Sequence, residues 1–452
     1  MPEDERGGVQ RVVVVGGGAA GMSAASAARR TDREAEITVL EAGPFTSYGV
    51  CGLPYYISGA VAEAETLIAY PASEFRDRRR IDLRLGTRVE TVDLGARSVL
   101  DSHGERHPFD SLVLAVGARP IIPAVDGVDD PRVVTVRRLE DAIELRKRLT
   151  AGSIGSAVVM GAGYVGLEMA EALCESGVEV TVIDRLPRVL TTVDASVAEV
   201  VEQELRRRCR VELGRELVAI DRAPSGLLVE AGGSSFQADL VVLALGVRPA
   251  GDLVEGAASL PNGALIVDEA MRTSLQGVFA AGDCVALPHR VLNAPAYIPL
   301  GPAANRTGRV AGVVAAGGQA RFDGVVGTAV VKVFDLCVAH TGLTLEEATA
   351  RGFDARAADV AAKSRAKYYP GAEPLLVRLV HEPDGRLLGA QMVGKDGVAH
   401  RIDVMAAALY AGMGIEDLAS LDLAYAPPYS PVYDPIIQAA QAASLARERT
   451  PA

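Results

Sequence analysis

The sequence predicts an α/β protein with two doubly wound, Rossmann-like dinucleotide-binding domains and a C-terminal α+β domain. Three observations support this fold class: a glycine-rich turn between apolar strands near residue 16, a second copy near residue 161, and a change to short β-like runs and helices after about residue 325. With 452 residues, of which 49% are hydrophobic and 23% charged, the chain can bury several cores.

The first predicted βαβ unit runs from Arg11 to Glu41. It contains a strand (VVVV), a turn (GGGAAG), a helix of small residues (MSAASAARR) and a second strand (ITVL). The GxGxxG glycines allow close approach of a pyrophosphate to the helix N-terminus, and the acidic residue can accept hydrogen bonds from a ribose. The predicted contacts of this first site are Gly16, Gly18, Ala19, Ala20, Gly21 and Glu41.

The second unit repeats the pattern from Ala157 to Asp184, with strand AVVM, turn GAGYVG, helix LEMAEALCESG and strand VEVTVID. Two such sites imply two dinucleotides. Asp184 would repel a ribose 2′-phosphate and so favours NADH, whereas Arg185 and Arg188 can bind that phosphate and favour NADPH. The predicted contacts of this second site are Gly161, Gly163, Tyr164, Gly166, Glu168 and Asp184.

Each unit is followed by an apolar strand that ends in a glycine turn, DSLVLAVGARP at 110–120 and ADLVVLALGVRP at 238–249. These turns add Gly117 and Gly246 to the predicted cofactor contacts. Asp283, at the end of the strand-like run GVFAAGDC, can hold a polyol hydroxyl such as that of a flavin ribityl chain. Together with the two nucleotide motifs, Asp283 predicts FAD in the first site and NADH or NADPH in the second.

The last stretch alternates β-like runs (TAVVKVF, LLVRLVHE, LLGAQMVG) with helices such as IDVMAAALYAGM. Its ending, LAYAPPYSPVYDP, cannot be helical because proline removes donors and restricts the preceding residue. We expect this tyrosine-rich segment to pack against a partner surface. The expected domains are an FAD-binding domain (1–120 and 250–324), an NAD(P)H-binding domain (121–249) and a dimerisation domain (325–452).

Composition narrows the partners and the location. A net charge of −12 disfavours nucleic acid and anionic membranes, and neither a secretory signal nor a membrane span is expected. Five scattered cysteines and six scattered histidines predict no disulfide framework and no metal site, and they indicate a reducing cytoplasm.

Among the cysteines, Cys51 in TSYGVCGLPYYISG is the candidate redox thiol. It follows the first βαβ unit, and a helix after the Gly-Leu-Pro turn can aim its N-terminus at the sulfur and lower the thiol pKa. Cys174, Cys209 and Cys337 are expected to be small core residues, and Cys284 is expected to be buried near the flavin.

At this point the chain resembles the pyridine nucleotide-disulfide oxidoreductase superfamily along essentially its whole length. It is most similar to the group of coenzyme A-disulfide reductases, NADH oxidases and persulfide reductases. Three segments carry the resemblance: Ser47 through Tyr56 around the cysteine, KYYPGAEPL at 367–375, and Ala424 to Pro431.

The resemblance implies an FAD-dependent NAD(P)H oxidoreductase that reduces coenzyme A disulfide or a related low-molecular-weight disulfide or persulfide through one cysteine. NAD(P)H would dock at the second site, Tyr164 would swing aside, and electrons would pass through FAD to Cys51. Tyr368 and Tyr425 from the partner subunit of a homodimer would line the substrate sulfur. Further implied substrate-binding residues are Arg30, Ser47, Arg79 and Asn305.

The chain also departs from related groups. Thr46 and Tyr56 occupy the positions where a dithiol reductase needs a second cysteine. Ala19 stands where NADH peroxidases carry histidine, and Val50 stands where the best-matched coenzyme A-disulfide reductases carry asparagine. The identity of the thiol substrate therefore stays open.

Three other functions remain as alternatives. The first is an NADH oxidase in which Cys51 cycles through sulfenic acid. The second is an FAD reductase that passes electrons to a small iron–sulfur or rubredoxin-like protein, with a structural Cys51. The third is a non-enzymatic NAD sensor, which would leave two nucleotide sites and a cysteine idle.

Overall fold

A computed structural model describes residues 9–448 and has the predicted fold class, with two parallel doubly wound sheets and a C-terminal antiparallel sheet. Most of the N-terminal segment on which the absence of a secretory signal was predicted lies outside the described residues. Within residues 9–448, no helix has the length and apolar character needed to cross a membrane.

The first part of the chain builds most of the first sheet. Its elements are β1 (Arg11–Val15), α1 (Ala19–Thr31), β2 (Glu36–Leu40), α2 (Leu53–Ser58), β3 (Asp82–Arg84), β4 (Val89–Asp93), β5 (Ser98–Asp101), β6 (Arg106–Pro108), β7 (Ser111–Leu114) and β8 (Ala118–Pro120). The apolar run of β1 pairs in parallel with β2 on one side and β7 on the other. Burial on both faces explains why β1 reads as continuous valine.

The second part builds the second sheet. Its elements are β9 (Val133–Val134), α3 (Leu139–Thr150), β10 (Ser156–Met160), α4 (Tyr164–Glu175), β11 (Glu179–Asp184), α5 (Ala195–Arg208), β12 (Arg210–Leu213), β13 (Leu217–Ala223), β14 (Gly226–Ala231), β15 (Ser234–Ala238), β16 (Leu240–Leu243) and β17 (Val247–Pro249). Its parallel order, β12-β11-β10-β16-β9, repeats the first sheet's pattern. β17 pairs antiparallel with β8, so the two matching strand ends lie side by side.

The chain then returns to the first sheet. The elements of this part are β18 (Leu265–Ile266), β19 (Val278–Ala280), β20 (Val285–His289), β21 (Ala294–Ala296) and α6 (Gly301–Ala315). β19 completes the order β19-β7-β1-β2-β3. α6 packs closely on α1, because a Cβ at Gly308 or Gly312 would lie 2.1 or 2.0 Å from the carbonyl oxygens of Ala20 or Ala24. This contact fixes α6 over the first glycine-rich turn.

The last part forms a five-stranded antiparallel sheet in the order β22-β23-β26-β25-β24, covered by helices. Its elements are β22 (Ala329–Val333), β23 (Leu336–Gly342), α7 (Leu345–Ala350), β24 (Arg356–Lys363), β25 (Pro374–His381), β26 (Leu387–Gly394), α8 (Val398–Ala411), α9 (Ile415–Ala419) and α10 (Pro435–Glu448). The segment 420–434 has no helix, as its prolines predict, and α10 begins directly after it.

Candidate active site

The first glycine-rich turn separates packing glycines from a glycine that borders open space. Gly16 has φ +105°, and a Cβ there would lie 2.3 Å from the Ala115 carbonyl oxygen. A Cβ at Gly21 would lie 1.8 Å from the Gly16 oxygen, whereas a Cβ at Gly18 would meet no atom within 4 Å. Gly16 and Gly21 therefore allow the strand and helix to pack. Gly18 leaves the space that a pyrophosphate needs at the start of α1.

The second turn repeats this arrangement. Gly161 has φ +109°, and a Cβ there would lie 2.3 Å from the Ala244 oxygen. A Cβ at Gly166 would lie 1.9 Å from the Gly161 oxygen, while a Cβ at Gly163 would again meet no atom within 4 Å. The repeat in the sequence therefore corresponds to two open spaces, one at the N-terminus of α1 and one at the N-terminus of α4, which we call the first and second cradles.

The acidic residues that end β2 and β11 face these turns. The Gly17 N–H donates to Glu41 Oε2 over 2.5 Å, and the Ala162 N–H donates to Asp184 Oδ2 over 2.7 Å. These bonds hold both carboxylates at the edge of their cradles, where a ribose diol is expected. Each site therefore offers space for a pyrophosphate at a helix N-terminus and a carboxylate for a ribose, and the two sites together fit two dinucleotides.

Replacing Gly18 by Val should leave the fold intact and weaken FAD binding at least about tenfold, because the added methyl groups enter space that only a ligand fills. Flavin absorbance per folded subunit measures this effect. The matched Gly21→Val variant should fail to fold, since its Cβ meets backbone atoms. A folded Gly18→Val protein with its full flavin content contradicts the placement.

Cys51 lies in a short 3₁₀ turn, Val50–Gly52, directly before α2, and it is exposed. The surrounding protein nevertheless removes part of its water, and this desolvation raises the thiol pKa, followed by repulsion from Glu168 and Asp283. The expectation that the next helix lowers this pKa is wrong for this structure. Desolvation and the two carboxylates outweigh the lowering of this pKa by Arg137 and by a backbone hydrogen bond.

Arg137 is a positive group whose charge acts on Cys51, and sequence reasoning missed it. Its Nη2 donates to Asp283 Oδ2 over 2.8 Å, and its charge partly offsets the rise in the Cys51 pKa. A Cβ at Gly117, just before β8, would lie 3.7 Å from Arg137 Nη2. Arg137 follows a valine-rich stretch and comes two residues before α3, and no local motif marks it.

Glu168 on α4 is half-buried. Burial, followed by the charge of Glu171, raises the pKa of Glu168 to about 7. A small cleft between α2 and α4 is lined by Pro54, Tyr55, Ser58, Glu168, Glu171, Ala172 and Glu175. A carboxyl with a pKa near neutral therefore lies on the helix that begins at the second glycine-rich turn, and its charge acts on the Cys51 thiol.

Tyr164, the first residue of α4, stacks on His340 of β23, with ring centroids 6.4 Å apart and planes at 16°. Burial lowers the pKa of His340 to about 4, so the imidazole is neutral at pH 7. The tyrosine that was predicted to move thus stacks on a residue of the five-stranded C-terminal sheet, here called the third sheet. The sequence analysis did not predict this contact. Gly246, which precedes β17, has φ +96° and forms the turn at the end of its strand.

The two tyrosines predicted to act from a neighbouring subunit lie together on the third-sheet unit. The hydroxyls of Tyr368 and Tyr425 are 3.3 Å apart, and the residues are 75% and 45% exposed. The buried Arg401 organises both segments: its guanidinium donates to Asp434 Oδ2 over 2.9 Å and to the Ser364 carbonyl over 3.1 Å. Arg401 carried no sequence signal because its partners lie elsewhere in the chain.

The four predicted substrate-binding residues lie around α1. Asn305 Oδ1 accepts a hydrogen bond from Ser23 Oγ over 2.8 Å, and Arg30 is exposed at the end of α1. Arg79 donates to Ser26 Oγ over 2.7 Å. Ser47 has φ +52° and donates its N–H to the Gly17 oxygen over 3.0 Å. All four lie on or next to α1 or its turn.

One cluster outside the cleft has the composition of a metal site. The ligand atoms of Asp101, Glu105 and His107 lie within 4.8 Å of one another. His107 Nε2 already bonds to Asp101 Oδ2 over 2.9 Å, and Glu105 pairs with Arg84. These side chains are therefore engaged with one another and with Arg84 at a hairpin, and the absence of a metal site stays a prediction.

Comparison with known proteins decides the family. The model of the pyridine nucleotide-disulphide oxidoreductase family matches residues 10–320, and the model of that family's dimerisation domain matches residues 328–435. The chain belongs to this family. Like other members, this oxidoreductase uses FAD and NAD(P)H, which the two cradles fit.

Individual relatives are similar in sequence to this oxidoreductase over nearly its whole length. An NAD(P)H sulfur oxidoreductase (CoA-dependent) of Pyrococcus furiosus is 39% identical over 90% of this chain and 93% of its own. A coenzyme A disulfide reductase of Staphylococcus haemolyticus is 30% identical over 89% and 92%. The solved structure of an NAD-dependent persulfide reductase from A. fulgidus superposes with a TM-score of 0.93 at 40% identity, covering 97% of this chain and 84% of that one.

Proposed function

We propose that this oxidoreductase reduces low-molecular-weight disulfides or persulfides of the coenzyme A type, with Cys51 as its redox thiol. The observation that supports this most directly is the position of Cys51. It is an exposed sulfur close to Asp283, beside the first cradle, and to Glu168, just beyond the second. The relatives' sulfur substrates support the same reaction class.

FAD, when bound, takes hydride from NAD(P)H and supplies electrons to the sulfur. The chain's own residues do the rest. The Cys51 thiolate attacks one sulfur of the substrate disulfide, forms a mixed disulfide and releases the other half as a thiolate. The raised pKa of Cys51 disfavours its thiolate. The positive charge of Arg137 acts in the opposite direction and favours the thiolate.

An anaerobic NADH titration tests this proposal. Protein treated with excess coenzyme A disulfide and desalted should consume two equivalents of NADH per flavin before the flavin stays reduced, because the mixed disulfide on Cys51 accepts two electrons in addition to the two that the flavin takes. Cys51→Ser protein treated identically should stop at flavin reduction. Equal NADH consumption by the two proteins contradicts the proposal. Labelling by a sulfenic-acid reagent without a mixed disulfide supports the NADH oxidase alternative instead.

We also propose that the working enzyme is a homodimer. The surface around the tyrosine pair carries large exposed apolar side chains, which are Tyr368, Tyr369, Tyr425, Tyr429, Val432 and Tyr433. Patches of this kind mark protein interfaces. In a dimer, this surface would place Tyr368 and Tyr425 of one copy beside Cys51 of the other.

For the coenzyme, we propose that Glu346 favours NADH over NADPH. Arg188, which otherwise can bind a 2′-phosphate, forms a two-bond ion pair with Glu346 of α7 over 2.6 and 2.7 Å. Arg185 is exposed, and Asp184 repels the phosphate at the same edge of the second sheet. The charge of Arg188, which could bind the 2′-phosphate of NADPH, is thus neutralised by Glu346 of the C-terminal domain.

Glu346→Gln should raise the ratio of kcat/KM for NADPH to that for NADH by about 3- to 10-fold, the size of one charge-assisted contact. Steady-state rates with both coenzymes measure the ratio. Glu347→Gln, a neighbour outside this ion pair, is the matched control. The gain should vanish in Glu346→Gln/Arg188→Gln, and a gain that persists there contradicts the role of Arg188.

A further inference from the structure

Cys174 and Cys209, treated above as core residues, lie in direct contact. Their Sγ atoms are 3.3 Å apart. Cys174 is the penultimate residue of α4 and is partly exposed, whereas Cys209 follows α5 and is buried. The contact is formed by residues 35 positions apart, so it could not be read from either helix alone.

We propose that Cys174 and Cys209 form a second thiol site that reacts with low-molecular-weight disulfides and closes to an internal disulfide. The site is chemically separate from Cys51 and does not depend on the function proposed for it. The remaining cysteines have other surroundings. Cys284 is completely buried, with its Sγ 3.3 Å from the Ala281 oxygen, and Cys337 lies on β23.

The two sulfurs differ in the way that disulfide exchange requires. The sulfur–sulfur hydrogen bond lowers the pKa of Cys174, helped by the charge of Arg208, while desolvation and the Glu171 and Glu175 carboxylates act in the opposite direction. The same hydrogen bond and burial raise the pKa of Cys209. Cys174 is also the partly exposed sulfur of the pair, so it is the thiol that attacks first, and the buried Cys209 is the resolving thiol.

The exchange balances in two steps. The Cys174 thiolate attacks a disulfide RSSR, giving a Cys174–SR mixed disulfide and one RSH after protonation. Cys209 then loses its proton and attacks the Cys174 sulfur, which forms the Cys174–Cys209 bond and releases a second RSH. Two electrons pass from the two thiols to RSSR, so the small disulfide is the oxidant.

The required movement is small. A disulfide bond is about 2.05 Å long, so the sulfurs must approach by about 1.3 Å. Cys209 has left the helix, with φ −134° and ψ 157°, so the turn of α5 does not fix its side chain. The closed loop would contain β11 and Asp184, and cross-linking it should raise the Tm of the protein.

The test uses cystamine on the flavin-loaded Cys51→Ser protein, which keeps four of the five cysteines. Intact mass should fall by two hydrogens with no cysteamine adduct, free thiols in denaturant should fall from four to two, and a Cys174–Cys209 cross-linked peptide should appear. Cys51→Ser/Cys209→Ser should instead keep one cysteamine on Cys174. Cys51→Ser/Cys174→Ser should carry no cysteamine on Cys209, because Cys209 is buried.

Cys51→Ser/Cys337→Ser is the matched control and should still form the cross-link. Three results overturn the proposal: no loss of thiols in the Cys51→Ser protein, a cross-link to Cys337 or Cys284, or a stable adduct on Cys174 while Cys209 is present. If a double variant does not fold, peptide mapping of cystamine-treated wild-type protein gives the same decision. None of these readouts involves turnover, so failure here leaves the role of Cys51 untouched.

Discussion

Cys51→Ser should abolish turnover of disulfide or persulfide, lowering kcat by at least about 10³-fold, while FAD content and flavin reduction by NADH stay at wild-type levels. Only the second half-reaction needs the sulfur. Cys51 is exposed, so a serine, which differs by one atom, should not disturb folding. Stopped-flow absorbance follows flavin reduction, and thiol release measures turnover.

Cys337→Ser is the control for this experiment, because Cys337 is a partly exposed cysteine on β23, in a different part of the molecule. It should retain full activity. Disulfide turnover that survives in Cys51→Ser at the wild-type rate excludes the thiol mechanism and favours direct transfer of electrons from the flavin to a protein acceptor. Loss of flavin reduction in Cys51→Ser would instead assign the residue a structural role.

Hybrid dimers should recover activity from two inactive parents. Cys51→Ser lacks the sulfur, and Tyr368→Phe/Tyr425→Phe lacks both phenols that would protonate or stabilise the leaving thiolate. If the tyrosines act across the dimer, one of the two sites in a hybrid holds the intact cysteine and both phenols. The hybrid should then show about half of the wild-type activity. Differently tagged subunits, mixed and purified through both tags, provide the protein to assay.

Tyr433→Phe is the matched control for the tyrosine variant, since Tyr433 is also exposed but is not part of the hydroxyl pair. It should be active on its own. Hybrids that remain inactive, although each parent is folded, dimeric and flavin-loaded, would show that Tyr368 and Tyr425 do not act across the interface. A double-Phe parent with normal activity would remove the tyrosines from the mechanism altogether.

The sequence by itself determined the fold class and the two nucleotide cradles, because these follow local rules. A glycine turn between a buried parallel strand and a helix has few alternatives, and the acidic residue that ends the next strand falls beside that turn through parallel pairing. Glu41 and Asp184 both accept an N–H from their turns as this geometry requires. The prolines of the segment 420–434 similarly forbid a helix whatever surrounds them.

Only the tertiary structure decided which charges and sulfurs meet. Arg137 pairs with Asp283 across 146 positions, Arg188 with Glu346 across 158, and Cys174 contacts Cys209 across 35. None of these pairs has a spacing that helix or strand periodicity imposes, because each joins separate elements whose packing is set by whole sheets. The pKa of Cys51 belongs to the same class. The sequence offered a helix N-terminus that would lower the pKa, but desolvation by the surrounding protein, followed by the charges of Glu168 and Asp283, raised it.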